Sequence, residues 1–454
     1  MTAPHELTLA DAAALIAARR LSPVELLADC WARIAEVNPL VDAFIRMTRD
    51  ESEASAREAE SEIIRNGPRS PLHGIPIGLK DIIDLEGHPT TCHSRLRLDH
   101  VAAADAAVVR LLRTAGAVFP GKLATHEFAI GGPAFDLPFP PARNPWNTAH
   151  HPGGSSSGSG AAVAARMMPA ALGTDTGGSV RHPASHCGIV GLKATYGLVP
   201  REGVFPLAFS LDHVGPLTRT VRDAALMLNC MAAGREDYQR HLGLGLRGLR
   251  VGFVRHFHET DMPADPEMGA AVEAAAQLLS KEGAQVRTVT LAPLDEFAAV
   301  NRTILYGESS VIHEAWLRDR ADEYAAVTRR RLLPGLFLPA VDFMHAARRR
   351  AQLVALVEAA FGEVDVLLTA SSMDPACRID DTPTVERTYP RQARTPFNVT
   401  GHPAITLMAG LSSGGLPLSV QFVAPSFCEA MLLRAAHAFE RAGPWKDMAP
   451  PLHA

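Results

Sequence analysis

Apolar residues recur at helical spacing early in the chain, where Val24, Leu27, Trp31 and Ile34 fall on one side of a 3.6-residue turn. Thr8 followed by Asp11 marks one helix start. Ser22-Pro23-Val24-Glu25 marks a second, with a capping serine, a proline at the first helical position and a reciprocating glutamate. The charged run DESEASAREAESEIIR from Asp50 predicts an exposed helix. Beyond residue 70 the rhythm shortens. Residues 74–84 form a β-rich run, 105–115 a helix, and 117–119 a second short extended run, a βαβ order. Glycine and serine fill 153–160, alanine dominates 161–171, and 172–179 returns to a glycine-punctuated extended form, which predicts loop, helix, strand and turn. Strand patterns follow in LRVGFVRH (249–256), QVRTVTL (285–291), VDVLLTA (364–370), AITLMAG (404–410) and LPLSVQFVA, with a helix over 267–282. Residues 295–361 are helix-rich and basic, without strand signals, and their arginine triplets suit a solvated helix face. The pattern predicts a mixed sheet covered by helices.

Composition narrows the classes. With 454 residues, 47% hydrophobic and 20% charged, the chain has the make-up of a globular protein with a large core. Its 44 basic and 49 acidic residues lack the cationic surplus that phosphate neutralisation requires, which excludes nucleic acid as an expected partner. Six scattered cysteines without a C-x-x-C pair suit free thiols in a reducing compartment rather than a disulfide framework or a thiolate zinc site. Glu6 and Asp11 interrupt the N-terminal segment, so it does not read as a signal peptide, and no apolar stretch reaches membrane-spanning length. The expected location is the cytoplasm, with no membrane partner.

His-Pro-Gly-Gly-Ser-Ser-Ser-Gly-Ser-Gly (151–160) is costly to order without a purpose. A phosphate cradle would need a lysine after the glycines or a preceding strand, and neither is present. The nucleophile-elbow pattern G-x-S-x-G is matched by 154–158 with Ser156 at its centre, but it too requires a strand immediately before it. A flexible linker joins domains, whereas this loop lies between core elements.

The loop gains meaning from Gly-Thr-Asp-Thr-Gly-Gly-Ser-Val-Arg (173–181), which places Ser179 24 residues after Ser155. GGSSSGSG followed at this distance by GTDTGGSVR, with GIPIGLKD upstream, resembles the amidase signature family. The resemblance continues through CGIVGLK (187–193), TYGLVPREGVFPLAFSLDHVGPLTRTVRDAAL and PFNVTGHPAITLMAG. It implies one α/β/α domain over 1–454, with a mixed twisted sheet covered by helices. An N-terminal helical segment (1–70) precedes a catalytic core (71–230), the catalytic loops gather at one sheet edge, and the helical layer 295–361 covers the pocket. It also implies that Ser179 attacks the amide carbonyl, that Ser155 bridges from a cis Gly154–Ser155 peptide, and that Lys80 is the terminal base. A serine hydroxyl needs a base, and a lysine serves only when neutral. The apolar run 75–79 before Lys80 favours that neutral form by burial.

The glycine turn offers backbone N–H groups of Thr176, Gly177, Gly178 and Ser179 to an oxyanion, each donor worth roughly 3 kcal/mol. Asp175 and Arg181 are expected to hold the turn. By resemblance and loop position, Phe128, Ile130, Gly131, Gly132, Tyr306 and Phe397 are the expected pocket residues, with an apolar bias toward aryl or alkyl amides. Lys122 and Lys193 are assigned structural or surface roles. Asp212 and His213, adjacent on a strand, are expected to face opposite ways. His126-Glu127 and His150-His151 lack a third ligand at metal spacing and read as polar surface, so neither metal nor cofactor is expected.

The expected reaction is hydrolysis of a small linear amide to acid plus amine or ammonia through an acyl-enzyme on Ser179, with side esterase activity; a homodimer is compatible with it. The alternative is the amidase-like glutaminase subunit of a tRNA-dependent amidotransferase, which passes ammonia to a partner subunit. A scaffold protein with a dead site is disfavoured by the joint presence of Lys80, Ser155 and Ser179.

Overall fold

Capping chemistry sets the first helices. The Thr8 hydroxyl accepts the Asp11 N–H at 3.1 Å and starts helix Leu9–Ala17. The Ser22 hydroxyl accepts from the Val24 N–H at 2.9 Å while Glu25 reaches back to the Ser22 N–H at 3.0 Å, and helix Pro23–Val41 follows. Its Leu27, Trp31 and Ile34 are buried, as their spacing predicts. The charged helix Arg49–Asn66 is not wholly exposed: Ser52, Ala56, Ala59 and Ile63 form a narrow buried stripe.

The computed structural model describes residues 3–452. Its strands are β1 (Phe44–Met47), β2 (Ile77–Lys80), β3 (Gly121–Leu123), β4 (Ala170–Asp175), β5 (Val190–Lys193), β6 (His213–Thr218), β7 (Arg250–Phe253), β8 (Gln285–Thr288), β9 (Val366–Ala370), β10 (Ala404–Leu411) and β11 (Pro417–Val423). They form one mixed sheet in the order β1-β3-β2-β4-β6-β5-β10-β11-β9-β7-β8, flanked by helices. The extended run expected at 117–119 is displaced to β3, because Pro120 has no N–H to continue a ladder and Val118 makes only an isolated bridge to Pro76.

The central strands are buried on both faces. On β4, Leu172 belongs to one hydrophobic cluster and Ala171 to the other, the period of two that a pleated strand imposes. β2 and β4 are parallel neighbours, with Leu79 opposite Leu172, so their C-terminal ends emerge together. The loops carrying Ser155 and Ser179, expected at one edge of the sheet, sit instead at one end of interior strands, because β1 and β3 lie outside β2. The layer after residue 294 is helical as expected, built from Leu294–Asp319, Ala326–Leu332 and Ala340–Ala360. Among the described residues no helix is long and apolar enough to cross a membrane.

Candidate active site

Lys80 closes β2 and is fully buried. Burial pulls its ammonium down from the usual lysine value to about 7, against the opposing pull of Asp175, Asp212 and Cys92. Its Nζ donates to Ser155 Oγ and to Thr174 Oγ1, both at 2.8 Å. Thr174 comes from the neighbouring parallel strand β4, so sheet register brings that contact about. Ser155 is also fully buried, and the Gly154–Ser155 peptide is cis.

Ser156, the centre of the G-x-S-x-G match, is pinned elsewhere. Its hydroxyl exchanges hydrogen bonds with the backbone of Thr174, donating to the carbonyl and accepting from the N–H, each at 3.2 Å. Its own N–H donates to the Ser179 carbonyl at 3.2 Å, tying the two serine segments together. A Cβ at Gly173 would lie 2.6 Å from Ser156 Oγ, so the strand must carry glycine there.

Ser179 stands half-buried on the turn after β4, and its hydroxyl makes no hydrogen bond among the described residues. It faces a cleft of ≈ 170 Å³. Asp175 organises the turn: its carboxylate accepts Arg181 Nε at 3.0 Å, an Arg181 terminal nitrogen at 2.9 Å, the Gly178 N–H at 2.7 Å and Asn398 Nδ2 at 2.8 Å. Burial alone would push this carboxyl up, but the charge and hydrogen bonds of Arg181, with Lys193 and Asn398, together outweigh it and hold Asp175 well below the usual carboxylate range. The Gly178 N–H is thereby spent on Asp175, which corrects its expected place among the oxyanion donors. The N–H groups of Gly177 and Ser179 donate to nothing among the described residues. Gly178 itself has φ +123, and a Cβ there would lie 2.6 Å from Arg394 Nε.

The weaker candidates separate. Asp212 accepts the Thr176 hydroxyl at 2.6 Å, whereas the His213 Nδ1 lies 2.7 Å from the Leu211 carbonyl, so the two form no pair. Lys122 and Lys193 are both buried, the first 3.1 Å from Asp81 in an ion pair and the second bonded to the His402 carbonyl, so their roles are structural and not surface.

The sequence pattern of the Amidase family matches residues 25–433. The chain belongs to the amidase family. Its members with the amidase signature are hydrolases of carbon–nitrogen bonds. A relative from Roseiflexus sp. (strain RS-1), named as a glutamyl-tRNA(Gln) amidotransferase subunit, is 37% identical over 100% of this chain and 99% of its own length. Among solved structures, the peptide amidase of Stenotrophomonas maltophilia superposes with a TM-score of 0.84 at 29% identity, covering 96% of each chain. The corresponding glutamyl-tRNA(Gln) amidotransferase subunit of Thermotoga maritima superposes with a TM-score of 0.82 at 31% identity, covering 99% of each chain.

In this amidase-family cleft, Ile130 and Gly131 line the wall as expected, and the other four expected pocket residues do not. Phe128 is 1% exposed, sealed among Phe205, His313, Trp316 and Tyr324. Phe397 is fully buried, and Gly132 and Tyr306 stand outside the lining, where Asn301 and Leu305 represent the Tyr306 helix. The expected apolar bias is also corrected, because Arg331, Gln392 and Arg394 reach the cleft, with the Arg331 guanidinium 5.5 Å over the Tyr389 ring. The His151 surface assignment fails as well. His151 is 1% exposed and its ring meets those of His182 and His186 of helix Arg181–Cys187, and His126 and Glu127 are likewise buried.

Proposed function

We propose that this protein cleaves a carboxamide by acyl transfer to Ser179. The observation that carries the reading is the 2.8 Å contact between Ser155 Oγ and a fully buried lysine whose pKa lies at about 7, which makes a neutral amine available near neutral pH. Ser155 passes its proton to Lys80 as it takes the Ser179 proton, and the Ser179 oxygen attacks the carbonyl carbon. The resulting oxyanion is held by the Gly177 and Ser179 N–H groups. As the C–N bond breaks, Ser155 returns a proton to the departing nitrogen and Lys80 resupplies Ser155. Water then attacks the acyl ester, its proton following the same path, and the acid leaves. Arg331 and Gln392 favour an acyl group with a polar or anionic end. Esters react by the same route, since an alkoxide leaves far more readily than an unprotonated amide nitrogen and so depends less on the proton from Ser155.

The amidotransferase reading has its own support in the 37% identity that extends over essentially the whole of a relative bearing that name. Under it the same half-reaction releases ammonia from glutamine to a partner subunit. One assay covers both readings: purified protein is given a panel of linear amides, anilides, esters and glutamine, and acid and ammonia release are followed. Turnover of simple amides by the chain alone supports the stand-alone hydrolase. Activity restricted to glutamine, and rising only with a partner, supports the amidotransferase role. No turnover of any amide contradicts both.

A further inference from the structure

We infer that His151, His182 and His186 form a binding site for one divalent transition-metal ion, zinc being the ion tested, and that its occupancy unfastens the loop carrying Ser155. The binding half stands apart from the proposed function; the control half rests on it. His182 and His186 are four residues apart on helix Arg181–Cys187 and share a face, while His151 approaches from the segment before the glycine loop. All three are nearly inaccessible, at 1%, 3% and 4% exposure. One ring nitrogen from each lies within 4.8 Å of the others, and the His182 and His186 ring centroids are 4.4 Å apart.

A second observation points the same way. Both ring nitrogens of His186 are buried and neither makes a well-formed hydrogen bond, the one polar neighbour of the ring being the Asp374 backbone. A neutral imidazole carries one N–H and one lone pair; with the N–H toward the Asp374 backbone, the buried lone pair has no donor and is open to a cation. Three neutral imidazoles are the donor set that zinc, nickel, copper and cobalt accept, and three protein ligands leave a fourth position open.

The site is wired to the serine loop. His151 Nδ1 accepts the Gly153 N–H at 3.1 Å, and His182 Nδ1 accepts the Gly154 N–H at 3.3 Å. Rings that accept at Nδ1 keep their proton on Nε2. A metal bound at Nε2 moves that proton to Nδ1, where it faces the glycine N–H and breaks the bond. A metal bound at Nδ1 displaces the same bond directly. In both cases the backbone immediately before Ser155 loses its anchors, and occupancy lowers amide turnover.

The test uses the full chain, stripped with a chelator and titrated with Zn²⁺ alone. Calorimetry and metal analysis are expected to find one tightly bound equivalent in the wild type and at least tenfold weaker binding in both His186→Leu and His186→Gln. X-ray absorption of the zinc-loaded wild type is expected to show three imidazoles, a reading that needs no variant to fold. Amide turnover of the wild type is expected to fall several-fold on zinc addition and recover with chelator, while His186→Leu keeps its turnover in zinc. Absence of a stoichiometric ion, unchanged affinity in both variants, or carboxylate and thiolate ligands in the absorption spectrum would overturn the site. Full turnover with zinc bound would overturn the control.

Discussion

The pKa of Lys80 turns one buried amine into a measurable pH limb. Only the neutral amine accepts a proton, and the neutral fraction grows as pH rises through about 7, so kcat/KM is expected to climb over that interval and stay high above it. Lys80→Ala is expected to remove the limb and most of the rate, more for an amide than for a matched ester, because the relay must also protonate the departing nitrogen. His213→Ala is expected to keep the limb, since the His213 ring bonds the Leu211 carbonyl and Lys193 and none of Lys80, Ser155 and Ser179. Ser179→Ala is expected to lose several orders of magnitude in turnover with little change in unfolding temperature. Ser156→Ala is expected to retain the Ser179 chemistry, its hydroxyl being committed to the Thr174 backbone. At this scale the sequence points to Lys80, Ser155 and Ser179 through the resemblance its glycine-rich segments carry, and the structure brings Lys80 and Ser155 into contact. Phe128 and Phe397 were misplaced because an aromatic in a loop reads the same whether it faces a cleft or seals a core. Arg331 belongs to a triplet that suits a solvated helix face, and Tyr389 and Gln392 to a segment without periodicity after helix Thr382–Thr388; packing brings all three to the cleft at Ser179.

Between β4 and helix Arg181–Cys187, the turn carrying Ser179 is held by a buried ion pair. Asp175→Asn keeps the shape of the side chain but leaves the Arg181 guanidinium uncompensated at 0% exposure. Breaking such a pair costs about 3–5 kcal/mol, so urea unfolding is expected to show a loss of that order along with lost turnover. A loss under about 1 kcal/mol, the range of an exposed pair, would contradict this role. Helix starts were readable because capping is local: Thr8 and Ser22 cap as their side chains predict. Strands were less so. β6 carries Pro216 in its interior, a residue that argues against a ladder, yet pairs Leu172 with Pro216 between two neighbours. β1 is four residues long and is held at the edge by β3, a contact distant in sequence.

Across the whole molecule, parallel pairing of β2 with β4 makes Lys80 and Thr174 neighbours although they are 94 residues apart, the glycine loop brings Ser155 to the same amine, and the helical layer contributes Asn301, Leu305 and Arg331 to the cleft at Ser179. The chemistry proposed for Ser179 uses no metal, so chelator-treated protein is expected to retain full amide turnover; a loss that zinc restores would contradict it. The central claim is that Ser179 is the nucleophile and Lys80 its base. The most direct measurement reacts the intact protein with a fluorophosphonate, follows the rate of labelling in wild type and Lys80→Ala, and locates the adduct by peptide mass spectrometry. The account predicts a single adduct on Ser179, formed at least a hundredfold more slowly in Lys80→Ala. An adduct on Ser156, or equal labelling rates in the two proteins, would contradict it.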